Sequence, residues 1–162
     1  MTQEEKQLLL KDLCARLPYG VKILHEGWNY EWDDVLYTVE RVVGIDDKLI
    51  YTKVIDTHNG EEYRDDSHSI DTFDDKLFLR PMSSMTEEEK KEFINYAGYE
   101  VEESINGRHY EYYLKDFVGT VEKPIANDDA IDWLNAHHFD FRGLIEKGLA
   151  IGVTENNNPY TL

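Results

Sequence analysis

The chain has a single cysteine, Cys14, in 162 residues, so no internal disulfide can brace it. It has no apolar run near the ~20 residues that a membrane-spanning helix needs, which excludes a helical anchor within this sequence. Basic residues are scarce: 17 Lys and Arg stand against 34 Asp and Glu, a net charge of −17. A field of that sign repels phosphate, so direct binding to nucleic acid or to an anionic membrane is not expected. Also missing are the G-x-S-x-G elbow, the P-loop, the dinucleotide fingerprint, CxxC and HExxH, the compact signatures of nucleophilic, nucleotide, redox and zinc-protease chemistry. The opening MTQEEKQLLLKDL lacks the basic region and small-residue cleavage site of a secretory signal, so a cytoplasmic location is expected. Cys14 lies in an amphipathic stretch, where its expected role is that of a small buried apolar side chain.

What is present is a β-rich centre flanked by helices. Residues Val35 to Asp56, VLYTVERVVGIDDKLIYTKVID, form two β-branched and aromatic runs joined by Gly44-Ile45-Asp46-Asp47, a hairpin pattern. Period two puts Val35, Tyr37, Val39 and Val43 on one face, with Thr38 and Glu40 opposite. That predicts the valine-rich face inside. For the second strand, either Leu49, Tyr51 and Ile55 or Ile50, Thr52 and Val54 could face inward.

Helix signals bracket this centre. Thr2 with Glu5 and Thr86 with Glu89 are capping boxes, in which hydroxyl and carboxylate satisfy the amides left open at a helix start. The first predicts a helix to about Arg16 with Leu9, Leu10, Leu13 and Leu17 near one face; Pro18-Tyr19-Gly20 ends it. The second predicts a helix carrying Phe93, Ile94 and Ala97 inward and capped by Gly98. THNGEEYRDDSHS reads as an exposed loop or long hairpin end, followed by short strands near 70–73 and 77–79. A second hairpin is expected between Tyr99 and Phe117, with a helix over Glu111 to Phe117 as the alternative. Asn127 and Asp140 are expected to cap two short helices, the latter ended by Gly148. The expected fold is therefore one α+β domain over 1–162. An antiparallel sheet on the hairpin at about 35–56 is covered by the N-terminal helix, a helix at about 87–97 and two short C-terminal helices. The tail frays after about 154.

Three groups of side chains are candidates for function. Trp28, Tyr30 and Trp32 share one face if their segment is extended, giving core, a partner surface or a stacking platform for a sugar or base. With Asp33, Asp34, Asp46, Asp47, Asp65 and Asp66 they make up the candidate contact surface. The window from Glu26 to Asp75 holds fifteen acids against four Lys and Arg, or −11. Asp132, His137, His138 and Asp140 are the densest set of potential metal ligands, yet their spacing misses the i, i+4 geometry that brings side chains together on a helix. Asp65, Asp66, Ser67 and His68, with Asp56 and His58, form a second acidic loop lacking the spacing of a calcium loop. No metal or cofactor is expected from either.

Three blocks, EEKQLLLKDLCARLPYGVK, LFLRPMSSMTEEEKKEF and DWLNAHHFDFRGLIEKGLAI, cover roughly a third of the chain. In these the sequence resembles a family of small uncharacterised proteins of gut Bacteroides and their prophages and mobile elements. The resemblance implies an accessory protein of a bacterium or its phage and carries over no site residue. The leading expectation is a non-enzymatic accessory or regulatory protein that touches another protein, one with a basic surface, through its acidic face. The alternatives are a nucleic-acid mimic that blocks a DNA-binding protein, a small metal-dependent hydrolase using His137, His138 or His68, and a carbohydrate binder using the aromatic strip.

Overall fold

A computed structural model describes residues 1–29, 33–55, 60–97 and 128–161. The expected Gly98 cap, the 99–117 hairpin and the Asn127 cap lie outside them, as do the side chains of Tyr30, Trp32, Ile94 and Ala97. Among the described residues the order is α1 (Gln3–Arg16), β1 (Lys22–Asn29), β2 (Asp34–Ile45), β3 (Leu49–Ile55), β4 (Glu62–Ser69), β5 (Lys76–Leu79), α2 (Glu87–Ala97), α3 (Asp128–Ala136) and β6 (Ala150–Gly152). The class is α+β, and the sheet has the strand order β4-β3-β2-β1-β5-β6. It is mixed rather than wholly antiparallel, because β6 joins β5 in parallel after a long excursion of the chain. Among the described residues no helix is long and apolar enough to cross a membrane.

Both capping boxes form. Thr2 Oγ1 accepts from the Glu5 amide at 3.2 Å while Glu5 Oε2 accepts from the Thr2 amide at 2.7 Å. Thr86 and Glu89 do the same for α2. Helix α1 buries Leu9 and Leu13 in one cluster with Val21, just before β1, and with Ile23, Val42, Ile50 and Leu77 of the sheet. Cys14 is exposed, contrary to expectation, because the leucines occupy the buried face of the helix. A smaller cluster of Met85, Phe93, Ala130, Trp133, Leu134 and Phe139 joins α2 to α3.

A buried ion pair ties the two clusters together. Arg16 Nε donates to Asp12 Oδ2 at 2.7 Å, and its Nη2 donates to the Phe139 carbonyl at 2.7 Å. Arg142 Nη1 meets the other oxygen of Asp12 at 2.5 Å. Asp12 and Arg16 are fully buried, so one helix turn of α1 holds the residues after α3 in place.

Four local expectations are corrected. Of the two readings of THNGEEYRDDSHS, the loop is corrected and the long hairpin end holds: Glu62–Ser69 is a full strand, paired antiparallel with β3 from Ser69 opposite Leu49 to Glu62 opposite Ile55. It is an edge strand held by backbone bonds, and so carries no hydrophobic period. Residues 70–72 are turn and Phe73 lies outside any strand. The segment from Phe141 to Leu149 is a run of turns rather than a helix, with Gly143 and Gly148 at φ 71° and 69°, a left-handed geometry that interrupts helical winding. Asp140 still accepts from the Leu144 and Ile145 amides, as a cap would. The tail docks instead of fraying: Pro159 is buried, and Tyr160 Oη donates to the Phe78 carbonyl at 2.8 Å.

Candidate functional site

The hairpin forms, but with its faces the other way round. Its inner face is Thr38, Glu40 and Val42 on β2, with Ile50, Thr52 and Val54 on β3, while Val35 and Tyr37 point outward. Pairing with β1 continues the pattern. Ile23 lies opposite Glu40 and His25 opposite Thr38 on the inner side; Glu26 lies opposite Tyr37 and Trp28 opposite Val35 on the outer. The cause is chemical rather than periodic: a carboxylate can be buried when its hydrogen bonds are met within the protein.

Glu40 meets that condition. Thr38 Oγ1 donates to Oε1 at 2.8 Å, Thr52 Oγ1 to Oε2 at 2.6 Å, and His68 Nε2 to Oε2 at 2.6 Å. Burial alone would raise the pKa of Glu40, but the bonds from His68, Thr52 and Thr38 outweigh it and hold the carboxyl at about 2. Burial would likewise lower the pKa of His68, and the Glu40 bond with the nearby Asp75 charge raises it instead.

The network continues beyond His68. Its Nδ1 lies 3.5 Å from Asp75 Oδ2, and Asp75 Oδ1 is 2.7 Å from His25 Nδ1. Asp75 is nearly closed to solvent, and that burial raises its pKa against the pull of the two histidines. Asp75 sits where it does because Leu24 pairs with Lys76, which brings the preceding residue beside His25. His68 arrives by a different route. Three strand spacings separate β4 from β1, about 14 Å in a flat sheet, yet the two imidazole centroids are 4.5 Å apart. The sheet must coil around its inner face. Register shifts at Val42/Gly44 and Val54/Ile55 supply the bends.

On the outer side the same hairpin presents apolar surface. Trp28, Val35 and Tyr37 are 48, 37 and 58% exposed, and Leu36 at the same end is 40% exposed. Glu26, Asp33 and Asp34 border them. Of the predicted contact residues, the sheet therefore brings together Trp28, Asp33 and Asp34. Asp46 and Asp47 lie at the opposite end of β2, where Asp46 accepts from the Lys48 and Leu49 amides and from Tyr51 Oη and so builds the turn. Asp65 and Asp66 stand on opposite faces of β4, paired with Lys53 and Arg64. The described acids between Glu26 and Asp75 thus fall on both faces and at both ends of the sheet, without a single phosphate-like row.

The predicted ligand set Asp132, His137, His138 and Asp140 does not converge. Asp132 is exposed on α3. His137 stacks on the Trp133 indole with centroids 3.9 Å apart. His138 is buried at φ 58° against the Tyr160 ring, and burial drives its imidazole down to about 3, so it stays neutral. Asp140 is spent on backbone amides. Among the described residues the group whose ligand atoms do come together is His25, His68 and Asp75, all within 4.8 Å of one another. Of these the sequence singled out His68 alone. His25 and Asp75 carry no local signal, because only the coiling of the sheet joins them. No protein-family model, curated protein sequence or solved structure matches the chain.

Proposed function

We propose that this is a non-enzymatic accessory or regulatory protein that acts by contact with another protein, and that its contact surface is the outer end of the β1–β2 hairpin. The observation that carries this reading is the exposure of Trp28, Val35 and Tyr37 together on the outer face at one end of the sheet, where Leu36 is exposed on the opposite face. Large apolar side chains clustered and bordered by charge are the composition of a binding patch, with aromatic anchors inside and a polar rim. Glu26, Asp33 and Asp34 make that rim acidic, and the whole chain carries −17. The partner that complements it is a protein with a basic rim around an apolar centre. A nucleic-acid mimic is the weaker reading, since the acids are scattered and several are already in ion pairs. The cytoplasmic location and the bacterial or phage setting implied by the resemblance belong to the same proposal.

The test compares the protein with a Trp28→Ser, Tyr37→Ser double variant, each immobilised and exposed to native host extract at low salt. The expected result is a basic protein retained by the unmodified chain, released as salt rises, and absent from the variant. Retention of the same proteins by both, or of none by the unmodified chain, would overturn the reading.

A further inference from the structure

We infer that His25, His68 and Asp75 form a binding site for one divalent transition-metal ion of the zinc class, with Glu40 as its positioning residue. The site lies on the inner face, away from the Trp28 and Tyr37 strip, so it stands or falls independently of the proposed partner surface.

The donor set comes first. Two imidazole nitrogens and a carboxylate oxygen suit Zn²⁺ or Co²⁺; Ca²⁺ and Mg²⁺ prefer shells made of oxygen. Geometry agrees. Around a tetrahedral ion with bonds of ~2.0–2.1 Å, neighbouring ligand atoms stand about 3.3 Å apart. Asp75 Oδ1 is 2.7 Å from His25 Nδ1, its Oδ2 is 3.5 Å from His68 Nδ1, and one ligand atom from each residue lies within 4.8 Å of the others, so rotation of the side chains would close the three around an ion. His25 Nδ1 and Asp75 Oδ1 share a hydrogen bond, and the ion would take its place.

The surrounding groups fit the same reading. His68 donates Nε2–H to Glu40, which leaves the Nδ1 lone pair facing Asp75 and the other imidazole. A carboxylate that fixes the tautomer and aim of a metal-bound histidine is a recurrent feature of zinc sites. Glu40 is itself locked by Thr38 and Thr52. Two carboxylates and two neutral imidazoles carry −2, which a divalent ion balances inside the sheet. The way in is at His25, the most exposed of the three ligands. Gly27 keeps room there, since a Cβ at that position would stand 3.2 Å from His25 Nε2. With three protein ligands, a fourth position is left for water.

The three ligands come from β1, β4 and the approach to β5, so an ion would clasp strands that are distant in the sheet order and stabilise its coil. The experiment titrates chelator-treated protein with Zn²⁺ by calorimetry and with Co²⁺ by visible absorption. The expected result is one ion per chain, the intense bands of tetrahedral cobalt and a raised Tm. His25→Ala and Asp75→Asn should abolish all three, while His137→Ala leaves them intact. Glu40→Gln should weaken binding by about 10- to 100-fold with the cobalt bands kept. Should Glu40→Gln fail to fold, His25→Ala carries the test, because it leaves the Glu40–His68 bond in place. Failure of the folded protein to take up either ion at neutral pH, or equal uptake by His25→Ala, would contradict the assignment.

Discussion

Replacing Asp12 with alanine is expected to destabilise the protein by about 3–5 kcal/mol, the range for removing one partner of a buried ion pair. The cost comes from what is left behind. Arg16 is fully buried, and without Asp12 its charge keeps only the Phe139 and Leu134 carbonyls as acceptors. Arg142 loses its 2.5 Å partner as well. Against the ~5–15 kcal/mol total stability of an ordinary domain, a loss of this size leaves a substantial unfolded fraction. Urea denaturation followed by circular dichroism measures it. An Asp12→Leu, Arg16→Met double variant should recover part of the loss, since apolar replacements often match a buried pair. It should not recover all of it, because the Phe139 carbonyl then keeps only the Phe141 amide and Arg142 loses the Asp12 carboxylate, keeping Asn135 Oδ1. Full recovery would mean that Arg16 is merely the counter-ion of Asp12 and not the strut between α1 and the residues after α3.

Glu40→Ala is expected to cost a comparable amount. The fall of the Glu40 pKa from 4.5 to about 2 in the folded state is equivalent to about 3 kcal/mol at pH values above both. Because the folded value is the lower one, that stability is fully present above about 4.5 and is lost as the pH falls toward 2. His68 behaves in the opposite sense. Its folded pKa is raised above 6.5, so its contribution is present below 6.5 and is lost as the pH rises through the folded value. Both shifts describe one hydrogen bond and are not to be added. The bond contributes most between about 4.5 and 6.5. Asp75, raised by burial, pulls the other way in acid and flattens the fall there. Denaturation of the metal-free protein across this range should give a maximum in that window, and Glu40→Gln should remove most of the curvature.

Much of the frame could be read from residues alone. Both capping boxes set their helices, and the β-branched runs placed β2 and β3. The turn near Asp46 followed from the hairpin pattern of Gly44-Ile45-Asp46-Asp47. What failed was the facing of the hairpin. A periodic pattern ranks Val35, Tyr37, Val39 and Val43 above Thr38 and Glu40 for burial, and it cannot know that Thr38, Thr52 and His68 will converge on one carboxylate. That convergence is tertiary. So is the pairing of β4, whose EYRDDSHS contains almost nothing apolar and is held by main-chain bonds to β3. The docking of Tyr160 on Phe78 is likewise invisible from a polar tail. In sequence the densest set of potential ligands is His137 and His138 with Asp132 and Asp140, whereas the side chains that meet come from three separate elements.

The claim on which the functional reading turns is that this sheet turns Trp28, Val35 and Tyr37 to solvent and Glu40, with its threonine and histidine partners, to the inner face. Hydroxyl-radical footprinting with peptide mass spectrometry measures this directly. Trp28 and Tyr37 should oxidise rapidly, and Trp133, Phe93 and Phe139 should be protected. Protection of Trp28 and Tyr37 equal to that of Trp133 would place the strip in the core and remove the proposed contact surface.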